Sequence, residues 1–348
     1  MYQPILKGKK GEFDAWSRVS PSRRASAVPL FDIVADKGTD ADLQKFVTGL
    51  LDALNPNDEC AIDAAALGNG ARESASGLLP YAWLAAQLQG TRKTFRPVMH
   101  VEDGTASVAD AISAATTLGQ PITLRVGGTD ADPQPLAGDT SLRDFCTISG
   151  LQTQNVHLLL DFASIFGADL SAYQRLATAY LHWVGANGTW ASVTLASGAF
   201  PAQISAMPKQ TANRVPRLDA MLWNLVNPTS PVPGLRYGDY GVRHPELFEG
   251  QVWNGPLPNL RYATDADWIV WREAKAKHQQ PNSSFYDVCA AVASLPEYRG
   301  SAFSWGDYSI DEKSRRVPGP GSGTAWITYG TNLHMEFVID RLANLGVA

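Results

Sequence analysis

The stretch Val156-His-Leu-Leu-Leu-Asp-Phe-Ala163 decides the fold. It is a short apolar run carrying one aspartate near its end, and it reads as a strand. Behind it, 173–184 has apolar residues spaced by three and four, as in an amphipathic helix. A second apolar run follows at 190–197. Strand, helix, strand is the parallel βαβ unit, because a parallel crossover needs a covering helix.

The rhythm repeats outward in both directions. Strand-like runs lie at 2–9, 28–34, 60–65, 95–102, 122–127, 156–163, 190–197 and 235–242. Helical spacing lies between them at 13–19, 43–54, 79–88, 108–118, 142–148, 173–184 and 218–226. Eight such units predict an α/β fold, a closed (β/α)8 TIM-like barrel. An open doubly wound sheet is the alternative. It is disfavoured because no Gly-x-Gly-x-x-Gly fingerprint follows the first strands.

After the eighth strand the pattern breaks. Residues 245–330 are rich in Trp, Pro, Gly and Asn. They contain a strand-like pair at 259–264 and 268–272 and one helical segment at 285–295. Then 333–345 reads as an amphipathic closing helix, with Phe337, Val338, Leu342 and Leu345 on one side. The expected organisation is a barrel from 1–244 plus 331–348. An insertion between strand eight and helix eight, 245–330, would lie over the C-terminal mouth, where barrel active sites lie. The Pro/Gly-rich piece 318–324 is a candidate lid edge.

The chain has 348 residues, 45% hydrophobic and 18% charged, with a formal net charge of -5. That composition excludes a mostly disordered chain, and the charge disfavours a bulk nucleic-acid binder. Cys60, Cys146 and Cys289 are far apart in apolar surroundings, with no zinc or redox spacing. Buried thiols in a reducing cytosol are expected. No apolar run reaches about 18 residues, so no membrane span is expected. The first sixteen residues lack the apolar core of a secretory signal. The expected location is cytoplasmic.

Polar residues inside apolar strands are the functional signal. Residues two apart share a strand face. Lys7 and Lys9 share one, Asp32 lies with Leu30, and Asp63 with Ala61. His100 and Glu102 lie with Val98, Arg125 with Thr123, Asp161 with Leu159, and Asp239 with Tyr237 and Arg243. Unpaired buried charge is costly, so a single polar cluster at the barrel mouth satisfies them together. Asp63, His100, Glu102, Asp161 and Asp239 are the catalytic candidates. Lys7, Lys9, Asp32, Arg125 and Arg243 are the substrate-binding ones.

Three chemistries fit such a set. Carboxylates could hold Mg²⁺ or Mn²⁺, since hard cations take oxygen ligands. Two carboxylates could work as acid and base on a glycosidic bond, with Trp253, Trp268, Trp271 and Trp305 as sugar platforms. Lys7 or Lys9 with Arg125 could hold an anion while His100 moves a proton. Other features take plainer readings. The loop 127–130 lacks the P-loop lysine, His157 and His182 are packing or surface histidines, and Arg18, Arg23 and Arg24 form a solvated basic string.

The opening Tyr2-Gln-Pro-Ile-Leu-Lys-Gly-Lys-Lys-Gly-Glu-Phe-Asp-Ala-Trp16 resembles the start of the beta protein family of bacteria and bacteriophages. Trp305-Gly-Asp-Tyr-Ser-Ile310 and Trp326-Ile-Thr-Tyr-Gly-Thr-Asn-Leu-His334 resemble its ending, and Tyr237-Gly-Asp-Tyr-Gly241 matches in between. The resemblance implies a phage-related or phage-defence setting, not a reaction. It draws attention to Lys7, Lys9, Glu12, Asp239, Trp305, Asp307 and His334. Trp305, Asp307 and His334 thereby join the binding candidates. Lys7 and Asp239, ending neighbouring strands, would pair at the seam of the pocket.

The resulting expectation is a barrel protein that binds or hydrolyses a phosphate- or nucleotide-like anion. Lys7 and Arg125 would hold the anion. Asp63, Glu102, Asp161 or Asp239 would hold metal or act as base. The alternative is a non-catalytic immunity or effector-regulating protein that meets a protein partner through the aromatic insertion.

Overall fold

The computed structural model describes residues 1–127, 139–246, 256–275 and 282–348. Eight parallel strands close into a barrel: β1 (Tyr2–Lys7), β2 (Leu30–Asp32), β3 (Ala61–Asp63), β4 (Arg96–His100), β5 (Ile122–Gly127), β6 (Val156–Ser164), β7 (Ser192–Gly198) and β9 (Arg236–Asp239). All eight strand runs read from the sequence are barrel strands. Their outer residues belong to turns, so most are shorter than the runs. Crossovers carry α1 (Lys10–Ser17) and α2 (Pro21–Arg24), then α3 (Thr39–Ala53), α4 (Pro80–Leu88), α5 (Thr105–Leu118), α6 (Ser141–Ile148), α7 (Leu170–Asn187) and α8 (Leu218–Val226).

The strand alternation separates two cores. Tyr2, Leu6, Phe31, Ile62, Met99, Leu124, Leu158, Leu195 and Tyr237 point outward and pack beneath the helices. Ile5, Leu30, Ala61, Val98, Leu159, Ala196 and Tyr240 point inward and form a small apolar plug across the barrel. The plug leaves two polar ends, one at each opening.

A second sheet has the order β10 (Asn259–Ala263), β11 (Asp267–Arg272), β8 (Asn213–Pro216) and is antiparallel throughout. The strand pair after the barrel was legible in the sequence. Its third strand comes from upstream of α8, where Asn-Arg-Val-Pro shows no alternation. Arg261 of β10 donates to the Val242 carbonyl beyond β9 and lies over the Phe200 ring beyond β7. The sheet is therefore joined to the barrel's C-terminal side.

Three helices complete the chain: α9 (Phe285–Ala293), α10 (Trp305–Ser314) and α11 (Gly323–Asn344). The closing helix starts ten residues earlier than its apolar stripe suggests, which places His334 in mid-helix and not near its first turn. Helix α10 was not expected. Ser304 caps it, its Oγ accepting from the Asp307 amide, and Gly306 lets it approach α11. A Cβ at Gly306 would lie 2.5 Å from the Tyr329 carbonyl oxygen.

Helix α11 fastens the start of the chain. Arg23 bridges Glu336 and Asp340 at 2.8 and 2.9 Å, the Ser20 amide donates to Glu336, and Asn332 donates to the Ala15 carbonyl. Arg24 is buried against Asp58 and the carbonyls of Trp16 and Ala53, while Arg18 lies over the Trp305 ring. The basic string expected to be solvated is thus a set of tertiary ties.

Candidate functional site

At the C-terminal ends of the strands, inward residues meet in one network. Register sets Lys7 beside Asp32, Asp32 beside Asp63, and His100 beside Arg125. Arg125 occupies the centre. Its Nε donates to Asp161 Oδ2 at 2.9 Å. Its Nη1 donates to Asp32 Oδ1 and Asp63 Oδ2, each at 2.8 Å. Its Nη2 donates to Asp161 Oδ2 at 2.6 Å and to the Tyr240 hydroxyl at 2.8 Å. The five donors of the guanidinium are all spent. Arg125 therefore organises three carboxylates and has no donor left for a substrate, which corrects its expected role as an anion holder.

The carboxylate oxygens are also engaged. Asp32 Oδ2 accepts from Lys7 Nζ at 2.6 Å, Asp63 Oδ1 from the Ala65 amide, and Asp161 Oδ1 from the Ala163 amide. Tyr240 donates to Asp161. Ala163 holds φ at 47°, in the left-handed region, at a bulge in β6. Such strain persists where surroundings enforce it, as at a site.

His100 Nε2 is 2.8 Å from Asp63 Oδ2, and its side chain is 17% exposed. Burial pushes the Asp63 carboxyl up, but the His100 imidazole and then Arg125 outweigh it and hold the group well below the usual carboxylate range. Burial depresses His100, but Asp63 outweighs that and raises it above the ordinary histidine value. The Asp103 carboxylate accepts from the His100 amide at 2.8 Å, and burial raises its own pKa.

Seven mouth residues thus converge: Lys7, Asp32, Asp63, His100, Arg125, Asp161 and Tyr240. Tyr240 was missed, because strand eight was read with Asp239 inward. The pleat runs the other way. Gly238 and Tyr240 face the interior, and at Gly238 only a glycine fits, since a Cβ would meet the Ala196 Cβ at 2.8 Å. The absent side chain at Gly238 was the available signal.

Asp239 accordingly points outward and is fully buried. It accepts from the Tyr2 hydroxyl at 2.6 Å and from the Gly241 amide at 2.9 Å, and lies 2.8 Å from His334 Nε2. Trp268 Nε1 donates to His334 Nδ1 at 3.3 Å, so Nε2 carries the proton toward Asp239. Burial raises the Asp239 carboxyl, while His334, Tyr2 and Arg217 pull it down to about 2. Asp239 and His334 belong to a fully buried tie between barrel, small sheet and α11, and the expected Lys7–Asp239 seam does not form.

Other candidates also lie elsewhere. Glu102 sits in the turn after β4 and is exposed, because the strand ends at His100. Asp307 is buried in the first turn of α10, where its carboxylate accepts from the Tyr262 and Ser304 hydroxyls. Trp305 packs between Arg18 and Tyr329. Lys9 is the residue before α1. Burial and then the Arg243 charge lower its pKa. Arg243 Nε stands 3.4 Å from Glu12 Oε1. Burial raises the Glu12 carboxyl.

Among the expected sugar platforms, Trp268 and Trp305 are taken up by packing. Trp268 is fully buried and Trp271 donates to Glu273. Trp253 and the loop residues 128–130 lie outside the described residues. His182 is exposed, as expected. The donor set does not fit Mg²⁺ or Mn²⁺. The Arg125 guanidinium stands where the three carboxylates converge, and among the described residues no group of three His, Cys, Asp or Glu is arranged to hold a metal ion. Also among them, no helix is long and apolar enough to cross a membrane.

The sequence profile of the family described as Beta protein matches residues 2–340, so the chain belongs to that family. A comparison with curated proteins finds no match.

Proposed function

We propose that this member of the Beta protein family binds a phosphate- or nucleotide-like anion at the barrel mouth and hydrolyses it. The observation that carries the reading is the saturation of Arg125. With the Arg125 donors spent, Lys7 and His100 are, among the described residues, the mouth groups with donors to spare. Lys7 Nζ has one hydrogen-bond partner among the described residues and is 14% exposed in its side chain. His100 uses only Nε2 among the described residues.

Both groups are cations when protonated, and Arg243 and Lys9 add positive charge nearby. Lys7 would hold an oxyanion of the ligand. Asp63 fixes the imidazole, leaving Nδ1 of neutral His100, at a pH above its raised pKa, to take a proton from a water whose oxygen bonds to phosphorus; the P–O bond to the leaving group breaks, and the leaving oxygen takes its proton from solvent. Family membership suggests a phage-associated protein, and the setting proposed for it is conflict between phage and host, inside the cell.

The test is a thermal-shift screen of the full chain against nucleotides, phosphosugars and inorganic phosphate. A ligand at one hundred times its Kd stabilises the native state by about 2.7 kcal/mol. A compound that is turned over should bind less tightly in Lys7→Ala and lose turnover in His100→Gln. Turnover that survives both substitutions, or the lack of any compound whose shift shrinks in Lys7→Ala, would overturn the reading.

A further inference from the structure

The opposite opening of the barrel holds a second group of inward polar residues that the mouth chemistry does not use. Arg96, Thr123, His157, Ser192 and Arg236 lie in the first two positions of β4, β5, β6, β7 and β9. Each shares the strand parity of a residue in the apolar plug or, for Thr123, that of Arg125. They therefore point into the barrel below the plug, separated by it from Lys7 and His100.

The charge here is not balanced. Arg96 pairs with Glu59, whose side chain is 52% exposed. Arg236 has no hydrogen-bond or ion-pair partner among the described residues, and burial and then the Arg96 charge lower its pKa. His157 Nδ1 meets the Ser192 hydroxyl at 2.7 Å. Burial, then Arg96 and Arg236, push His157 down to about 3. One half-exposed carboxylate thus faces two guanidiniums.

A second, independent observation points to a missing acceptor. Arg96 is 8% exposed and its Nε is buried with no partner. Thr123 is 1% exposed and its Oγ1 is likewise buried and unpaired. Buried donors without acceptors cost stability, and charge at the N-terminal end of a barrel is not placed there for mouth chemistry.

We infer that the N-terminal opening is an anion site for a tetrahedral oxyanion of the phosphate class, held by Arg96 and Arg236 with Thr123 and His157 beside them. Phosphate offers acceptors to both guanidiniums, to the Thr123 hydroxyl and to the neutral imidazole. The anion would be free phosphate or the phosphoryl group of a larger ligand.

The experiment titrates the full chain with inorganic phosphate and with glycerol phosphate. It reads heat of binding and the His157 ring resonance, assigned with His157→Gln. Saturable binding is expected, with the His157 signal moving. Arg236→Ala, at a half-buried strand start, should weaken it at least about tenfold, the loss of one charge-assisted contact. Arg96→Gln should do the same, and serves if Arg236→Ala misfolds. Lys7→Ala removes the mouth cation and should leave this binding intact. Tighter binding of glycerol phosphate would identify a ligand-borne phosphoryl group, and equal or weaker binding the free ion. No saturable binding below roughly 10 mM, or binding lost in Lys7→Ala and kept in Arg236→Ala, overturns the inference.

Discussion

Replacing Arg125 by methionine is the most informative perturbation. The guanidinium donates five hydrogen bonds to three aspartates and one tyrosine. The side chains of Asp32, Asp63 and Asp161 are 13%, 5% and 0% exposed. Methionine fits the volume and leaves three buried carboxylates with Lys7 and His100 as the nearby cations. Removing one partner of a buried pair costs about 3–5 kcal/mol, and three acceptors put this case at the upper end.

The penalty depends on pH in a stated direction. In the parent, Asp63 is held below the usual carboxylate range, so its stabilisation is present above about pH 4 and is lost only as pH falls through the depressed value. In Arg125→Met the Asp63 carboxyl loses one of the cations that lower it, so its pKa rises relative to the parent and the variant regains stability on acidification. Each unit of that rise returns up to about 1.4 kcal/mol between pH 7 and pH 3. His100 loses the Arg125 charge that lowers its pKa, so it rises further in the variant and adds to the recovery on acidification. Urea unfolding at the two pH values measures it. A destabilisation below about 1 kcal/mol, or one equal at both pH values, would refute the network as described. If Arg125→Met does not fold, Arg125→Lys keeps the charge but loses the planar fork, and should cost about 2–3 kcal/mol with a smaller pH dependence.

Three further outcomes follow from the same geometry. The raised pKa of His100 contributes stability that is complete below about pH 6.5 and lost as pH rises through its folded value. His100→Gln should flatten that decline in urea midpoints between pH 6 and 8. Asp239→Ala orphans the Tyr2 hydroxyl and His334, costing about 2–4 kcal/mol. The affinity of the folded fraction for a mouth ligand, read by calorimetry, should stay unchanged. Burial pushes all three thiols up, Cys146 to about 11. A disulfide reagent such as Ellman's should label the native chain only as fast as it opens, and the unfolded chain at once.

The barrel was legible because eight apolar runs alternate with helical spacing, and that pattern survives small errors at each end. The mouth was legible where a side chain two residues upstream marks the inward face: Asp32 follows Leu30, Asp63 follows Ala61, Arg125 follows Thr123 and Asp161 follows Leu159. Asp239 was misread because the inward positions of β9 offer no such mark, being a glycine and a residue past its end. Glu102 failed because alternation was carried beyond the last strand residue. The role of Arg125 was invisible for another reason. Parity says which way a side chain points and nothing about how many partners it has already bound. Helix α10 and strand β8 owe their form to tertiary contacts, the approach at Gly306 and the pairing with β11, which local spacing does not encode.

The fastening of α11 onto the first two helices bears on how the protein is made. Strand β9 closes the ring against β1 once Asp239 is available, yet Tyr2, Asp239 and Trp268 stay uncovered until His334 arrives. At about 5–20 residues per second, that gap on the ribosome lasts roughly 5–20 s. A ring closed in that interval would have a bare outer seam, of the kind that invites chaperone binding. Helix α11 is the element that covers it, through His334 on Asp239.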